Sequence, residues 1–267
     1  MYGVAVVFAF LSWAGAGKSA IPLTGLLQGS LFLAVPLVFG ALSGVLCERV
    51  GIINIAIEGQ LLAGAFLAAV VASLTSSAYA GLIAAPIAGA LVGVLLVIFS
   101  VKYWVNQIIV GVVLNVLVVG VTSYLYSTVL SADPATWNSR NPLPVIEIPV
   151  LSQIPVVGPV LFRQTLLVYL MYVVVILLQV FLFRSRWGLR LRAVGEHPKA
   201  ADTVGIKVNA TRVRNTILGG AVAGLGGAFF TVGSGLAFGR EVSAGPGGRA
   251  RAARLRGRWR AGGGGGA

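Results

Sequence analysis

The sequence predicts an all-α polytopic bundle of about six to seven membrane-spanning helices, the only architecture its long apolar runs allow. Three observations carry that reading. Apolar residues make up 57% of the 267 residues and charged residues only 10%, and the mean hydropathy is +0.93, whereas a soluble domain carries about 25% charged residues. The apolar residues fall in continuous runs at 26–46, 52–73, 81–99, 105–129, 164–183 and 215–238, each long enough to cross a bilayer with some tilt. The basic residues, by contrast, are concentrated in one loop and one tail. A lipid-exposed backbone must satisfy its own N–H and C=O groups, and runs without alternation select helices over a barrel.

The elements follow in order. Residues 1–11 are apolar but short for a span, and neither a charged n-region nor a clear cleavage site marks them as a signal peptide. Within the next loop, Gly15-Ala16-Gly17-Lys18-Ser19 imitates the end of a phosphate-binding loop, but Ser12 stands where the pattern needs glycine. Between the first two full runs, the turn Cys47–Gly51 reads either as a loop on the inner side or as a helix break inside the membrane. The loop 131–163 is rich in proline, with Asp133 and Glu147 nearly balancing Arg140 and Arg163.

The segment 184–214 is different. It holds Arg184, Arg186, Arg190, Arg192, Lys199, Lys207, Arg212 and Arg214 against Glu196 and Asp202. Such an excess assigns it to the cytoplasmic side and therefore places 131–163 outside. Glycines and Pro198 divide it into short polar elements, more structure than a charge anchor needs, so it reads as a surface on which a partner docks. In the last run, Gly220 and Gly224, like Ala223 and Gly227, stand four apart, a spacing that lets helix backbones approach closely.

Polar residues inside apolar runs are the candidate functional groups. Asn54 and Glu58 are four apart and are expected on one helical face. That face lines a solute path or, alternatively, makes a structural polar contact. Asn115 lies deep in its own run and reads first as an interhelical hydrogen-bonding group, second as part of that path. The single histidine, His197, sits in the basic loop. The sequence presents no metal-ligand cluster, nucleophile–base set or carboxylate pair, so neither enzymatic activity nor a cofactor or metal is expected. Net charge is +13, but it reports topology and tail rather than a nucleic-acid-binding face. One cysteine, Cys47, allows no intrachain disulfide.

The blocks LSGVLCERVGIINIAIEGQLLAGAF, VNQIIVGVVLNVLVVGVTSYL and GLRLRAVGEHPKAADTVGIKVNATR resemble those of bacterial ABC-importer permeases of the branched-chain amino acid and simple-sugar superfamily. The likeness spans about residues 26–243 and is closest to nucleoside-type permeases linked to basic membrane lipoproteins. It implies a multi-pass subunit of the bacterial inner (plasma) membrane. It also implies a second permease subunit, a cytoplasmic ABC ATPase that hydrolyses the ATP, and an extracytoplasmic substrate-binding lipoprotein. Gly195, Glu196, Ala200, Ala201 and Gly205 match the segment that couples such permeases to the ATPase, and Glu48, Arg49, Gly51, Asn54, Glu58 and Gly59 match a block near the translocation path.

The expected function is transport of a small polar solute, a nucleoside first and a ribose-like simple sugar second. An ion-coupled secondary transporter is the alternative of another class, but it would need paired intramembrane carboxylates, and only Glu58 lies deep in a run. A non-transporting scaffold would need no intramembrane polar face. The expected domain division is a permease domain over 1–243 and a disordered Gly/Arg-rich tail over 244–267. From Pro246 onward Ile, Val and Phe vanish, as in a shifted reading frame of GC-rich coding sequence.

Overall fold

A computed structural model describes residues 23–149, 152 and 157–239. The loop resembling a phosphate-binding motif and the Gly/Arg-rich tail, with its expected frame change, lie outside the described residues. The elements are α1 (Leu23–Glu48), α2 (Ile57–Thr75), α3 (Ala78–Val97), α4 (Gln107–Leu125), α5 (Pro134–Trp137), β1 (Val145–Glu147), α6 (Val157–Phe162), β2 (Arg163–Thr165), α7 (Leu166–Arg184), α8 (Arg186–Glu196), α9 (Pro198–Thr203) and α10 (Val208–Ala228). Wide turns of helix extend α3 through Ile98–Lys102, α4 through Tyr126–Leu130 and α10 through Phe229–Gly233. Six of these helices are long and apolar enough to cross a membrane.

Each expected run therefore holds a span, with two boundaries displaced. The second run begins as a helix only at Ile57, because residues 52–56 are not helical. The last begins at Val208, seven residues before its apolar stretch. Thr211, Arg212 and Arg214 are good enough helix formers to carry the helix beyond the apolar region, where polarity alone signals a loop. Pro36 and Pro86 lie inside α1 and α3, where neighbouring helices and local adjustment accommodate a missing N–H.

Contacts among the helix ends sort them into two groups. At one end, Gln28 near the start of α1 donates to the Pro159 carbonyl (2.9 Å), Asn141 donates to the Ala72 carbonyl at the end of α2 (2.8 Å), and Leu143 N–H donates to the Val232 carbonyl (2.9 Å). Residues 131–149 and 157–165, with their antiparallel β1–β2 ribbon and a Glu147–Arg163 ion pair (2.7 Å), thus lie against the ends of α1, α2 and α10. At the other end, Arg212 meets the turn after α1. The two sets of loops thus lie at opposite ends of the bundle, the parity the charge distribution predicts.

The centre of the bundle is α10. Within its apolar window 67% of the residues are buried, against 22% for α7. Glycines make this possible. A Cβ at Gly64 of α2 would stand 2.7 Å from the Gly224 Cα, and one at Gly89 of α3 would meet the same atom at 2.7 Å. On other faces of α10, a Cβ at Gly227 would lie 2.8 Å from the Ala65 nitrogen and one at Gly226 2.7 Å from the Phe39 Cβ. The expected small-residue spacing is realised as close packing against three helices at once. Backbone contacts of this kind drive association where lipid supplies no hydrophobic difference.

Two outcomes test this arrangement. In a Cys47→Ala background, a thiol-reactive, membrane-impermeant label applied to intact cells should modify Ser152→Cys and leave Ala200→Cys untouched; the reverse pattern overturns the topology. Gly224→Val should cost more than about 3 kcal/mol, because backbone rather than a flexible side chain must yield. Gly120→Val, with open space around it, should change little. Monodisperse yield and denaturation midpoint in detergent read both.

Candidate substrate pathway and coupling surface

After α1 the chain turns at Gly51, whose φ of +80° lies in the left-handed region glycine tolerates. Gly51 N–H donates to the Glu48 carbonyl (3.0 Å) and Ile52 N–H to the Cys47 carbonyl (2.9 Å), closing the helix end. The turn is thus a loop on the side of the basic segment, and the break proper is the non-helical stretch 52–56 that follows it.

This corrects the reading of Asn54 and Glu58 as one helical face. Asn54 precedes the helix and Glu58 opens it, so the four-residue spacing has no helical meaning. Asn54 is 6% exposed. Its amide donates to Ser43 Oγ (3.2 Å) and Gln60 Oε1 (2.9 Å). Glu58 is exposed at the first turn of α2, where a carboxylate also complements the helix dipole. The pair therefore divides: Asn54 ties the break to α1 and α2, and Glu58 presents an ionisable group at the surface of the chain.

A stripe on α4 completes the break. Ile53 N–H donates to Gln107 Oε1 (2.8 Å). Asn115 donates from Nδ2 to the Ile55 carbonyl (2.9 Å) and accepts from Gly59 N–H at Oδ1 (2.8 Å). Gly111 lies between them, and a Cβ there would come 2.8 Å from the Ile55 Cβ. Gln107, Gly111 and Asn115 are four apart, so they share one face over about 12 Å of helix. Asn115 is the cross-linking group the sequence suggested, but its partner is unwound backbone rather than another side chain. The signal lay in that spacing. Ser43, fully buried, and the buried Asn215 Oδ1, which lacks a partner, were not singled out by sequence.

The basic segment meets the same turn. A Cβ at Gly195 of α8 would lie 3.0 Å from the Arg49 carbonyl carbon and 3.5 Å from the Val50 nitrogen. Arg212 Nε donates to the Val50 carbonyl (3.4 Å). The guanidinium groups of Arg49 and Arg192 both lie over the Phe183 ring, at 5.7 and 5.5 Å. Ser185 caps α8 by accepting from Gly188 N–H (3.0 Å), which sets that helix at the foot of α7. Of the five coupling candidates, Glu196, Ala200 and Gly205 are exposed, Gly195 packs on the turn, and Ala201 is buried at 3% exposure. The two alanines therefore do not form one docking face. The outward surface of α9 is Lys199, Ala200, Asp202 and Thr203, followed by Val204 at 73% exposure. Among the described residues no group of His, Cys, Asp and Glu is placed to hold a metal.

A six-span bundle with a broken second span, packed on a structured loop of the basic side, defines a membrane permease. The chain belongs to the family of branched-chain amino acid transport system permease components, whose model matches residues 26–247. It is 35% identical to the nucleoside ABC transporter permease protein NupC of Lactococcus lactis, over 86% of this chain and 74% of that protein. It is 32% identical to the guanosine ABC transporter permease protein NupQ of Bacillus subtilis, over 88% and 75%. It is 31% identical to a putative glucose ABC transporter permease protein, TsgC13, of Haloferax volcanii, over 78% and 63%. No solved structure matches the chain. The protein is thus a multi-pass membrane permease component.

Asn115→Leu strips partners from the Ile55 carbonyl and the Gly59 N–H. The variant should lose about 3 kcal/mol of stability, a desolvation cost for each of two stranded groups. Asn106→Ala, which removes only the cap on Ile108 N–H (3.0 Å), should lose about 1 kcal/mol. Equal midpoints for the two variants in detergent denaturation would contradict the role of Asn115.

Proposed function

We propose that this permease forms half of the transmembrane path of an ATP-driven importer and that its solute is a nucleoside. The observation that carries the reading is the junction of the basic segment with the turn that precedes the break. A displacement of α8 or α9 moves Arg49 and Val50 through Gly195, Arg212 and the Phe183 sandwich. Stretch 52–56 is continuous with them, so Glu58 and the Asn54 anchor move as well. That linkage is what coupling of a cytoplasmic motor to a membrane gate requires: two sites joined by an element with alternative arrangements.

The partners in this reading are a cytoplasmic ABC ATPase seated on the outer face of α9, a second permease subunit and an extracytoplasmic binding lipoprotein. Glu58 faces the path as a hydrogen-bonding group for solute hydroxyls, while Asn54 and Asn115 hold the break that positions it. The nucleoside assignment rests on the names of the relatives NupC and NupQ. The relative named for glucose supports a simple sugar as second reading.

Uptake in cells expressing this chain with its partner subunits tests the assignment. Unlabelled guanosine in excess should suppress uptake of labelled nucleoside, and ribose or glucose should not; the opposite competition selects the sugar. Glu58→Gln should lower uptake at unchanged abundance. Ala200→Trp should reduce co-purification of the ATPase at unchanged abundance, whereas Ala201→Trp, placed in the core, should lower abundance itself. Unchanged ATPase recovery with Ala200→Trp would remove the docking role of α9.

A further inference from the structure

Beneath the foot of α7 lies a cavity of about 390 Å³. Its wall includes Trp187 and Arg190 of α8, Ile206 and Lys207 of the following turn, and Thr211 and Arg214 of α10. Arg190, Lys207 and Arg214 are exposed, and no carboxylate lines the space. Among the described residues the one ion pair joins Glu147 and Arg163, at the opposite end of the molecule, so these three cations are not neutralised within it. Three like charges around one concavity form a site for an anion.

A second feature adjoins it. Val173, Ile176, Leu177, Val180 and Phe181 line an apolar groove on α7, the least buried of the six spans. The spacing puts all five on one helical face. The groove and the cavity share a boundary: Phe181 of the groove and Trp187 of the cavity stack edge to face, with ring centroids 6.0 Å apart. A ligand that fits both has an apolar tail that covers at least the roughly 12 Å, about two helical turns, of the groove and an anionic head at the cytoplasmic interface. Tryptophan at the junction suits the headgroup level.

The geometry points to a binding site for an anionic phospholipid, its acyl chain along α7 and its phosphate among Arg190, Lys207 and Arg214. A second copy of this chain is a poorer occupant. It would bring another basic segment, with eight cations against two acids, toward these three. A zwitterionic lipid fills the groove equally well but supplies no net charge. Each Lys or Arg near a surface favours anionic lipid by about 1 kcal/mol, so three should give a preference well above tenfold. The site is independent of which solute the permease carries.

The test uses the full chain in neutral detergent, titrated with phosphatidylglycerol or phosphatidylcholine carrying brominated acyl chains, which quench nearby tryptophan. The wild type should be quenched at a tenfold or more lower mole fraction of the phosphatidylglycerol, a threshold that about two cations already exceed. The excess should vanish in Trp187→Phe. Because the three cations are exposed, Arg190→Gln/Lys207→Gln/Arg214→Gln should keep the elution profile of the wild type and lose the preference. Arg190→Lys/Arg214→Lys should retain it. Equal quenching by the two lipids, a preference that survives the triple substitution, or loss of preference in the charge-conserving variant would each overturn the assignment. Displacement of the lipid by inorganic phosphate beyond a chloride control of equal ionic strength would assign the cavity to free phosphate compounds and overturn the lipid site.

Discussion

The constraint on which the rest depends is that unwound backbone packed between apolar helices must find its hydrogen-bond partners inside the protein. Residues 52–56 leave the helix, yet Ile53 N–H and the Ile55 carbonyl are met by Gln107 and Asn115, and Asn54 is held by Ser43 and Gln60. Each partner sits where another requirement puts it. Gln107 and Asn115 share a face because they are eight residues apart on α4, and Gly111 between them lets the break approach that face. Replacing these polar groups by apolar ones would leave the spans as hydrophobic or more so and strip the break of its hydrogen-bond partners.

A break held this way differs from a random interruption. It lets one element be continuous with a loop on the basic side while contacting the middle of a neighbouring helix. The turn 49–51 is gripped from three directions, by Gly195, Arg212 and Phe183. α10 is locked into the bundle by backbone contact with α1, α2 and α3. A closely packed centre and a clamped turn together join the basic segment to the break through contiguous contacts.

The two surfaces of the basic segment meet at Val204 and Gly205 but differ in chemistry. The outward face of α9 is small and of mixed charge, suited to close protein contact. The cavity under α7 is cationic and edged by aromatic rings, suited to phosphate at the lipid boundary. Both are built from one 31-residue stretch of sequence, because α8 folds back under α7 at Ser185 and Gly188 while α9 turns outward after Pro198. Capping residues thus give one charge-rich loop two differently built surfaces.

The sequence by itself determined the number and approximate limits of the spans described. These follow from transfer of apolar side chains into lipid, which sums over residues and needs no knowledge of neighbours. It also pointed to Asn54, Glu58, Asn115 and the basic segment, since polar groups in apolar runs are costly wherever they pack. The tertiary structure alone decided where each sits and what it contacts. Periodicity is defined only within a helix, so the spacing of Asn54 and Glu58 misled once the helix began at Ile57. Ala200 and Ala201 are chemically identical, and only packing sends one outward and the other into the core. Ser43, Gln60 and Gln107 became partners of the break through contacts between segments 11 to 54 residues apart or brought together by a turn, and such proximity is a property of the folded bundle, not of any window of sequence.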